Sequence, residues 1–243
     1  MNTIKINSGS VKMVAHRGLS GIERENTCPA FVAAANRSYF GIETDVHVTK
    51  DKKFVIIHDD TTTRVSLGNV SLNVEENNYE DLCNTVLPDK DESFDRQDIR
   101  IPLLSEYIRI CKKYEKKCVL ELKNHFEEED LKSLIEQIKR LEYIDNVIFI
   151  SFDLKNCLNT RKYLPENTVQ WLVGEKGVDE ETIKILEENR FDLDVYYGVV
   201  TSELVKELHA KGININCWTI DNPVVAERLV KMGVDYITTN ILE

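Results

Sequence analysis

The sequence predicts an α/β protein folded as a TIM (β/α)8 barrel, with a small insertion after the second strand. Three observations lead there. Apolar, strand-like runs alternate with amphipathic helical segments along the chain, eight such strands can be counted, and the turn after the first carries no glycine-rich nucleotide motif. A length of 243 residues with 42% hydrophobic side chains fills a sizeable core, and residues 1–243 are expected to form a single domain. The 10 glycines and 5 prolines, with no block of five like charges, exclude a disordered or collagenous chain.

The first strand, 12–18, ends in His16-Arg17-Gly18-Leu19-Ser20-Gly21, which matches neither the dinucleotide nor the P-loop glycine pattern of doubly wound sheets. Asn26-Thr27 before Cys28-Pro29 supplies capping side chains and then a first-turn proline. The second strand, 41–49, is followed by Lys52–His58, a hairpin partner for it, and then by a polar, irregular stretch at 59–100. That stretch reads as an insertion on the barrel rim, with a helical turn or two at most. Later strands fall at 118–124, 147–153, 168–174, 192–200, 213–221 and 234–240. Helical spacing joins Leu104, Tyr107, Ile108 and Cys111, then Leu131, Leu134, Ile135 and Ile138, then Leu204, Val205 and Leu208. Asn222-Pro223 opens the last helix, and Gly212 and Gly233 end helices where a left-handed residue is wanted. No helix-length segment follows the last strand. Residues 1–11, or a neighbouring subunit of a homo-oligomer, are expected to cover its outer face and hide Tyr236 and Ile241.

With 31 Lys and Arg against 42 Asp and Glu, the net charge of −11 argues against nucleic-acid partners, which need clustered cations. The opening residues lack a signal-like apolar core, and no stretch approaches the roughly 18 apolar residues of a membrane span. A cytoplasmic protein without a membrane anchor is expected. Cys28, Cys83, Cys111, Cys118, Cys157 and Cys217 form no CxxC pair and read as reduced thiols, most of them in the core.

Side chains two apart in a barrel strand point the same way, and those near its carboxyl end line the reaction face. In the second strand Glu43, Asp45 and His47 share one parity, while Ile42, Val46 and Val48 share the other. At 118–124, Glu121 and Lys123 alternate with Leu120 and Leu122; at 213–221, Asn214, Asn216 and Trp218 alternate with Ile213, Ile215 and Cys217. Polar groups should therefore meet on the barrel axis. Buried carboxylates without partners are costly, so Glu43, Asp45 and Glu121 need cations. A hard divalent ion, Mg2+ or Ca2+, would serve, as would an ion network with Arg17 and Lys123. His16 and His58 both end strands on the same rim, where two imidazoles suit acid–base chemistry. His47, His125 and His209 have weaker claims, the last two reading as structural or solvated.

The motifs run in order: Val14-Ala15-His16-Arg17-Gly18, Glu25-Asn26-Thr27, Gly41-Ile42-Glu43-Thr44-Asp45-Val46, His58-Asp59 with Thr62 and Arg64, and Ile101-Pro102-Leu103-Leu104-Ser105-Glu106. They continue through Leu120-Glu121-Leu122-Lys123, Cys217-Trp218-Thr219-Ile220-Asp221 and Gly233-Val234-Asp235-Tyr236-Ile237-Thr238-Thr239-Asn240. This series resembles the glycerophosphodiester phosphodiesterase family of barrel enzymes. The resemblance implies metal-dependent hydrolysis of small-molecule glycerophosphodiesters, such as glycerophosphocholine or glycerophosphoethanolamine, to sn-glycerol 3-phosphate and an alcohol. It further implies that Glu43, Asp45 and Glu121 hold one divalent cation and that His16 and His58 are the acid–base pair. Arg17 and Lys123 would grip the phosphate, and Trp218 would wall the pocket. In one departure, Thr239-Asn240 stands where family chains commonly carry Thr-Asp.

Two other readings compete. A lysophospholipase D or sphingomyelinase D-like enzyme would need an apolar, membrane-facing lip, for which 59–100 offers only scattered apolar residues among many acids. A non-catalytic barrel that binds phosphate metabolites would leave the two histidines without a task.

Overall fold

The computed structural model describes residues 2–243 and closes eight parallel strands into a barrel, with a ninth strand paired antiparallel to the second. In chain order the elements are β1 (Lys12–Ala15), α1 (Cys28–Ala35), β2 (Gly41–Val48), β3 (Phe54–Ile56), α2 (Tyr79–Cys83), α3 (Leu104–Lys113), β4 (Lys117–Leu122) and α4 (Glu128–Arg140). They continue with β5 (Val147–Ser151), α5 (Leu154–Tyr163), β6 (Val169–Val173), α6 (Glu180–Asn189), β7 (Asp192–Tyr196), α7 (Ser202–Ala210), β8 (Ile215–Trp218), α8 (Pro223–Met232) and β9 (Tyr236–Thr239). Barrel closure comes from β1, which pairs in parallel with both β2 and β9. All eight expected barrel strands and the Lys52–His58 hairpin partner are present. Most are shorter than expected at their carboxyl ends, because there the chain leaves the ladder to build the loops that carry the site.

The local signals act as their chemistry dictates. Thr27 caps α1 by accepting from the Ala30 amide, and Asn222 caps α8 through the amides of Val224 and Val225. Gly233 takes a left-handed φ of 88° at the end of α8. Leu104, Tyr107, Ile108 and Cys111 on α3, and Leu131, Leu134, Ile135 and Ile138 on α4, are buried against the outside of the sheet. Leu204 is the weakest member of its stripe and stays half-buried. Inside the barrel a smaller apolar layer of Val14, Val119, Ile148, Ile150, Leu172 and Tyr236 fills the space that β-strands of this tilt enclose. Among the described residues, no helix is long and apolar enough to cross a membrane.

Residues 59–100 are indeed irregular, with α2 as their one α-helix, yet they are not loosely packed. Val55, Ile57, Val65, Val74, Leu82, Leu87, Ile99 and Ile101 form a separate apolar cluster beneath them. Two expectations about the last strand fare differently. The N-terminal segment does run beside the chain after β9: the Ile4 and Ile6 amides donate to the carbonyls of Ile241 and Glu243, and Ile6 and Ile241 pack on the main core. Met1, the first residue of the expected 1–11 cover, lies outside the described residues. Tyr236, however, is not an outward residue. It shares parity with Thr238 and points into the barrel, where its hydroxyl accepts from Lys12 Nζ at 3.3 Å; the outward residue is the fully buried Ile237.

Glu243 fastens this segment. Its carboxylate accepts from Thr3 Oγ1 at 2.6 Å and from the Ser38 amide and hydroxyl at 2.9 and 2.7 Å, and pairs with Lys5 Nζ at 2.8 Å. Burial alone would raise the carboxyl, but these partners outweigh it and hold it at about 2. Because the folded-state value is depressed, the contribution is complete above the unfolded value and is lost as pH falls toward 2. Glu243→Gln should therefore melt below wild type at pH 7, and the two melting curves should converge as pH approaches 2; parallel curves over that range would refute the pairing.

Candidate active site

The carboxyl ends of β1, β2, β4 and β8 converge on a cavity of about 110 Å3 at the barrel mouth. Of the residues expected from sequence, His16, Arg17, Glu43, His58, Glu121 and Trp218 line it directly. Asp45 and Lys123 are not part of the lining, but ion pairs join them to the same cluster. Ligand oxygens of Glu43, Asp45 and Glu121 all lie within 4.8 Å of one another, and all three residues are buried.

The first loop is shaped to hold these acids. Arg17 sits at φ 53°, a left-handed conformation uncommon outside glycine, which lets its amide donate to Glu43 Oε2 at 2.7 Å. Gly18 follows at φ 76°, and a Cβ there would stand 2.7 Å from the Ala30 backbone, so only glycine lets the loop lie on α1. Asn26, also left-handed at φ 56°, accepts from Thr44 Oγ1 and donates to Asp45 Oδ2 at 2.8 Å. Arg17 Nε lies 3.6 Å from Asp45, and Lys123 Nζ lies 2.9 Å from Glu121 and 3.7 Å from Asp45. The ion network weighed from the sequence thus exists, but two cations face three buried acids. Against the cost of burial, Arg17 and Lys123 hold the Asp45 carboxyl low. Burial, with Asp45 and Glu121 nearby, pushes Glu43 well above the carboxylate range, and burial and Asp45 raise Glu121 to about 7.

The donor set fits a resident cation. Every candidate ligand is a carboxylate oxygen, which suits a hard divalent ion, and Asp45 Oδ1 is buried with no hydrogen-bond partner. The surplus acid is what such an ion would compensate.

Each histidine is held by a different group. His16 Nδ1 lies 2.7 Å from Asn240 Oδ1, and Asn240 Nδ2 donates to Asp221 at 2.6 Å, which fixes the amide with its oxygen toward the ring. His16 therefore carries its proton on Nδ1 and presents an acceptor Nε2, 4.0 Å from Glu43. Burial, then the neighbouring Arg17, pushes this imidazole down to about 4. His58 Nδ1 lies 2.7 Å from the Asp59 carboxylate, although burial lowers this ring too. The other three histidines stay out of the cavity: His47 is tied to Glu75 at 3.0 Å, His125 to Asp153 at 2.7 Å and His209 to Asp235 at 2.9 Å.

Arg64, in the insertion, links the two halves. It forms paired hydrogen bonds to Asp59 at 2.7 and 2.8 Å and to Glu25 at 3.0 and 2.7 Å, and Glu25 in turn accepts from Arg17 at 2.9 Å. The groups that orient His58 and Arg17 thus share one clamp. Arg64→Ala should lower kcat/KM by about 10- to 100-fold, as loss of an outer partner commonly does. Steady-state kinetics on protein with an unshifted melting temperature would check this, and wild-type kinetics would contradict it.

Sequence reasoning missed several residues of the cavity: Ile150, Phe152, Leu172, Asp194, Thr219 and Thr238. Phe152 is 50% exposed at the lip, edge-on to Trp218 at 5.8 Å, and Tyr196 stands 6.1 Å from the same indole. Asp194 had a signal, since Asp192-Leu193-Asp194-Val195-Tyr196 alternates as β2 does.

A TIM barrel with three acids, two cations and two oriented imidazoles clustered at its mouth carries the groups that a barrel phosphodiesterase would use. The chain belongs to the glycerophosphoryl diester phosphodiesterase family, whose model matches residues 16–243. Among relatives, a glycerophosphodiester phosphodiesterase of Caldanaerobacter subterraneus subsp. tengcongensis is 30% identical over 235 residues, covering 94% of this chain and 93% of the relative. A crystal structure of a glycerophosphodiester phosphodiesterase from Parabacteroides distasonis superposes with a TM-score of 0.78 at 28% identity, covering 95% of this chain and 93% of that one. An Oleispira antarctica phosphodiesterase, solved in complex with its product sn-glycerol-3-phosphate, shares the fold with a TM-score of 0.86 at 23% identity, covering 98% and 96% of the two chains.

Proposed function

We propose that the protein hydrolyses glycerophosphodiesters, such as glycerophosphocholine or glycerophosphoethanolamine, to sn-glycerol 3-phosphate and an alcohol. The observation that carries this reading is the three-acid, two-cation cluster, joined by ion pairs, whose Glu43, Glu121 and Arg17 line one cavity together with His16 and His58. Glu43, Asp45 and Glu121 would hold one Mg2+ or Ca2+, which when bound supplies positive charge against the diester anion and acidifies a nearby hydroxyl. Arg17 and Lys123 add fixed positive charge where negative charge grows on phosphorus oxygens.

His16, with its Nε2 lone pair free, acts as base and takes the proton of the glycerol 2-hydroxyl. That oxygen attacks phosphorus, the bond from phosphorus to the alcohol oxygen breaks, and His58 delivers a proton to the departing oxygen. The Asp59 carboxylate suits His58 to that part, because it favours the imidazolium. Water then opens the five-membered cyclic phosphate with the two proton transfers reversed, which regenerates both rings. Trp218 and Phe152 form the apolar wall beside the reacting groups.

Phosphorus NMR of the protein incubated separately with glycerophosphocholine and lysophosphatidylcholine tests this reading. Conversion of the former to sn-glycerol 3-phosphate is expected. Turnover confined to the acylated substrate would move the protein to the lysophospholipase D class, and binding without turnover to the phosphate-binding class.

A further inference from the structure

One buried acid of the cavity has no part in the steps above. Asp194, on β7, is 2% exposed, lines the cavity, and has a carboxylate oxygen, Oδ1, without any hydrogen-bond partner. Thr238 donates to Asn216 and Asn216 donates to Gln170, a chain that runs across β9, β8 and β6. Burial and the nearby Glu121 push the Asp194 carboxyl up against the opposing influence of Asn216, and its Oδ1 still has no hydrogen-bond partner. A buried acceptor left unpaired in a native protein is costly, and one that faces a substrate cavity implies a donor that arrives with the substrate. The adjoining wall of Ile150 and Leu172 is apolar, which suits carbon rather than phosphate.

We propose that Asp194 accepts a hydrogen bond from the terminal, C1 hydroxyl of the glycerol half and thereby selects glycerol over diols that lack it; this rests on the phosphodiesterase reading. With the phosphate between Arg17 and Lys123 and the 2-hydroxyl at His16, the C1 hydroxyl is the remaining polar group of the glycerol half. A site built to bond a hydroxyl rejects the analogue without it more strongly than an apolar pocket rejects an added one.

The test compares glycerophosphocholine with 2-hydroxypropyl phosphocholine, which keeps the attacking hydroxyl and lacks only the terminal one. Wild type should favour the former in kcat/KM by about 10- to 100-fold. In Asp194→Leu, and in Asp194→Ala as a smaller replacement, the preference should fall to about threefold or less while turnover of the deoxy substrate persists. Equal wild-type rates on both diesters, or an undiminished preference in either variant, would overturn the assignment. The same preference can be read without any variant, from inhibition of wild type by sn-glycerol 3-phosphate against 2-hydroxypropyl phosphate. No turnover of either diester by wild type would overturn the phosphodiesterase reading itself, and this one with it.

Discussion

Alanine at His58 is expected to lower kcat on glycerophosphocholine by about 10²- to 10⁴-fold, and alanine at His16 by a similar factor. The two losses should differ in kind. His58 is oriented by Asp59, which Arg64 above all holds ionised at about 2, so this ring is the one equipped to carry a proton to a poor leaving group. A p-nitrophenyl ester of glycerol 3-phosphate has a leaving group that departs without help. His58→Ala should therefore recover most of its rate on that substrate. His16→Ala should not, since the 2-hydroxyl still has to lose its proton. Equal recovery in both variants would exchange or abolish the assignments.

Glu43→Gln is expected to abolish cation binding and lower kcat by about 10²- to 10³-fold, yet cost no stability when chelator is present. Activity falls because one of the three carboxylates that would hold the cation is gone; losing one such source of electrostatic stabilisation costs about 3–4 kcal/mol in the transition state, and each 1.36 kcal/mol is a factor of ten. Stability persists because Glu43 is the acid least welcome in the metal-free cluster, raised by burial and by its two acidic neighbours. Glutamine keeps an oxygen for the Arg17 amide without the charge. Thermal melts in chelator should place the variant at or above wild type. Added Mg2+ or Ca2+ should raise the melting temperature of wild type alone, by preferential binding to the folded state. A variant that melts lower in chelator would contradict this view of the cluster.

The acids were legible because β2 and β4 are long enough for parity to be counted without ambiguity: Glu43, Asp45 and Glu121 occupy inward positions whichever end the count starts from. Shorter strands defeat the same count. Tyr236 begins the four-residue β9, and its direction follows from Thr238 pairing with Val14 across the barrel seam, a contact between chain ends that spacing alone does not reveal. Asp194 was hidden for a related reason. Asp192 and Asp194 share a face, but the first is taken up by Asn214 at the opposite end of the strand, and only the barrel stagger shows which acid reaches the mouth. The Arg64 clamp joins residues 39 positions apart, and the apolar cluster under the insertion draws on Val55, Ile57 and Ile101 from its edges. Neither leaves a periodic trace. Asn240 is a departure whose effect lies in its contacts: as a neutral partner it sets the His16 tautomer without adding the negative charge of an aspartate.

In the proposed reaction the three-carboxylate cluster would hold a divalent cation for phosphodiester hydrolysis. Release of sn-glycerol 3-phosphate from glycerophosphocholine, measured with wild-type protein before chelation, after exhaustive chelation and after restoring Mg2+ or Ca2+, tests it most directly. Turnover should cease on chelation and return with one of the two ions; turnover indifferent to chelation would rule out a catalytic cation at the cluster.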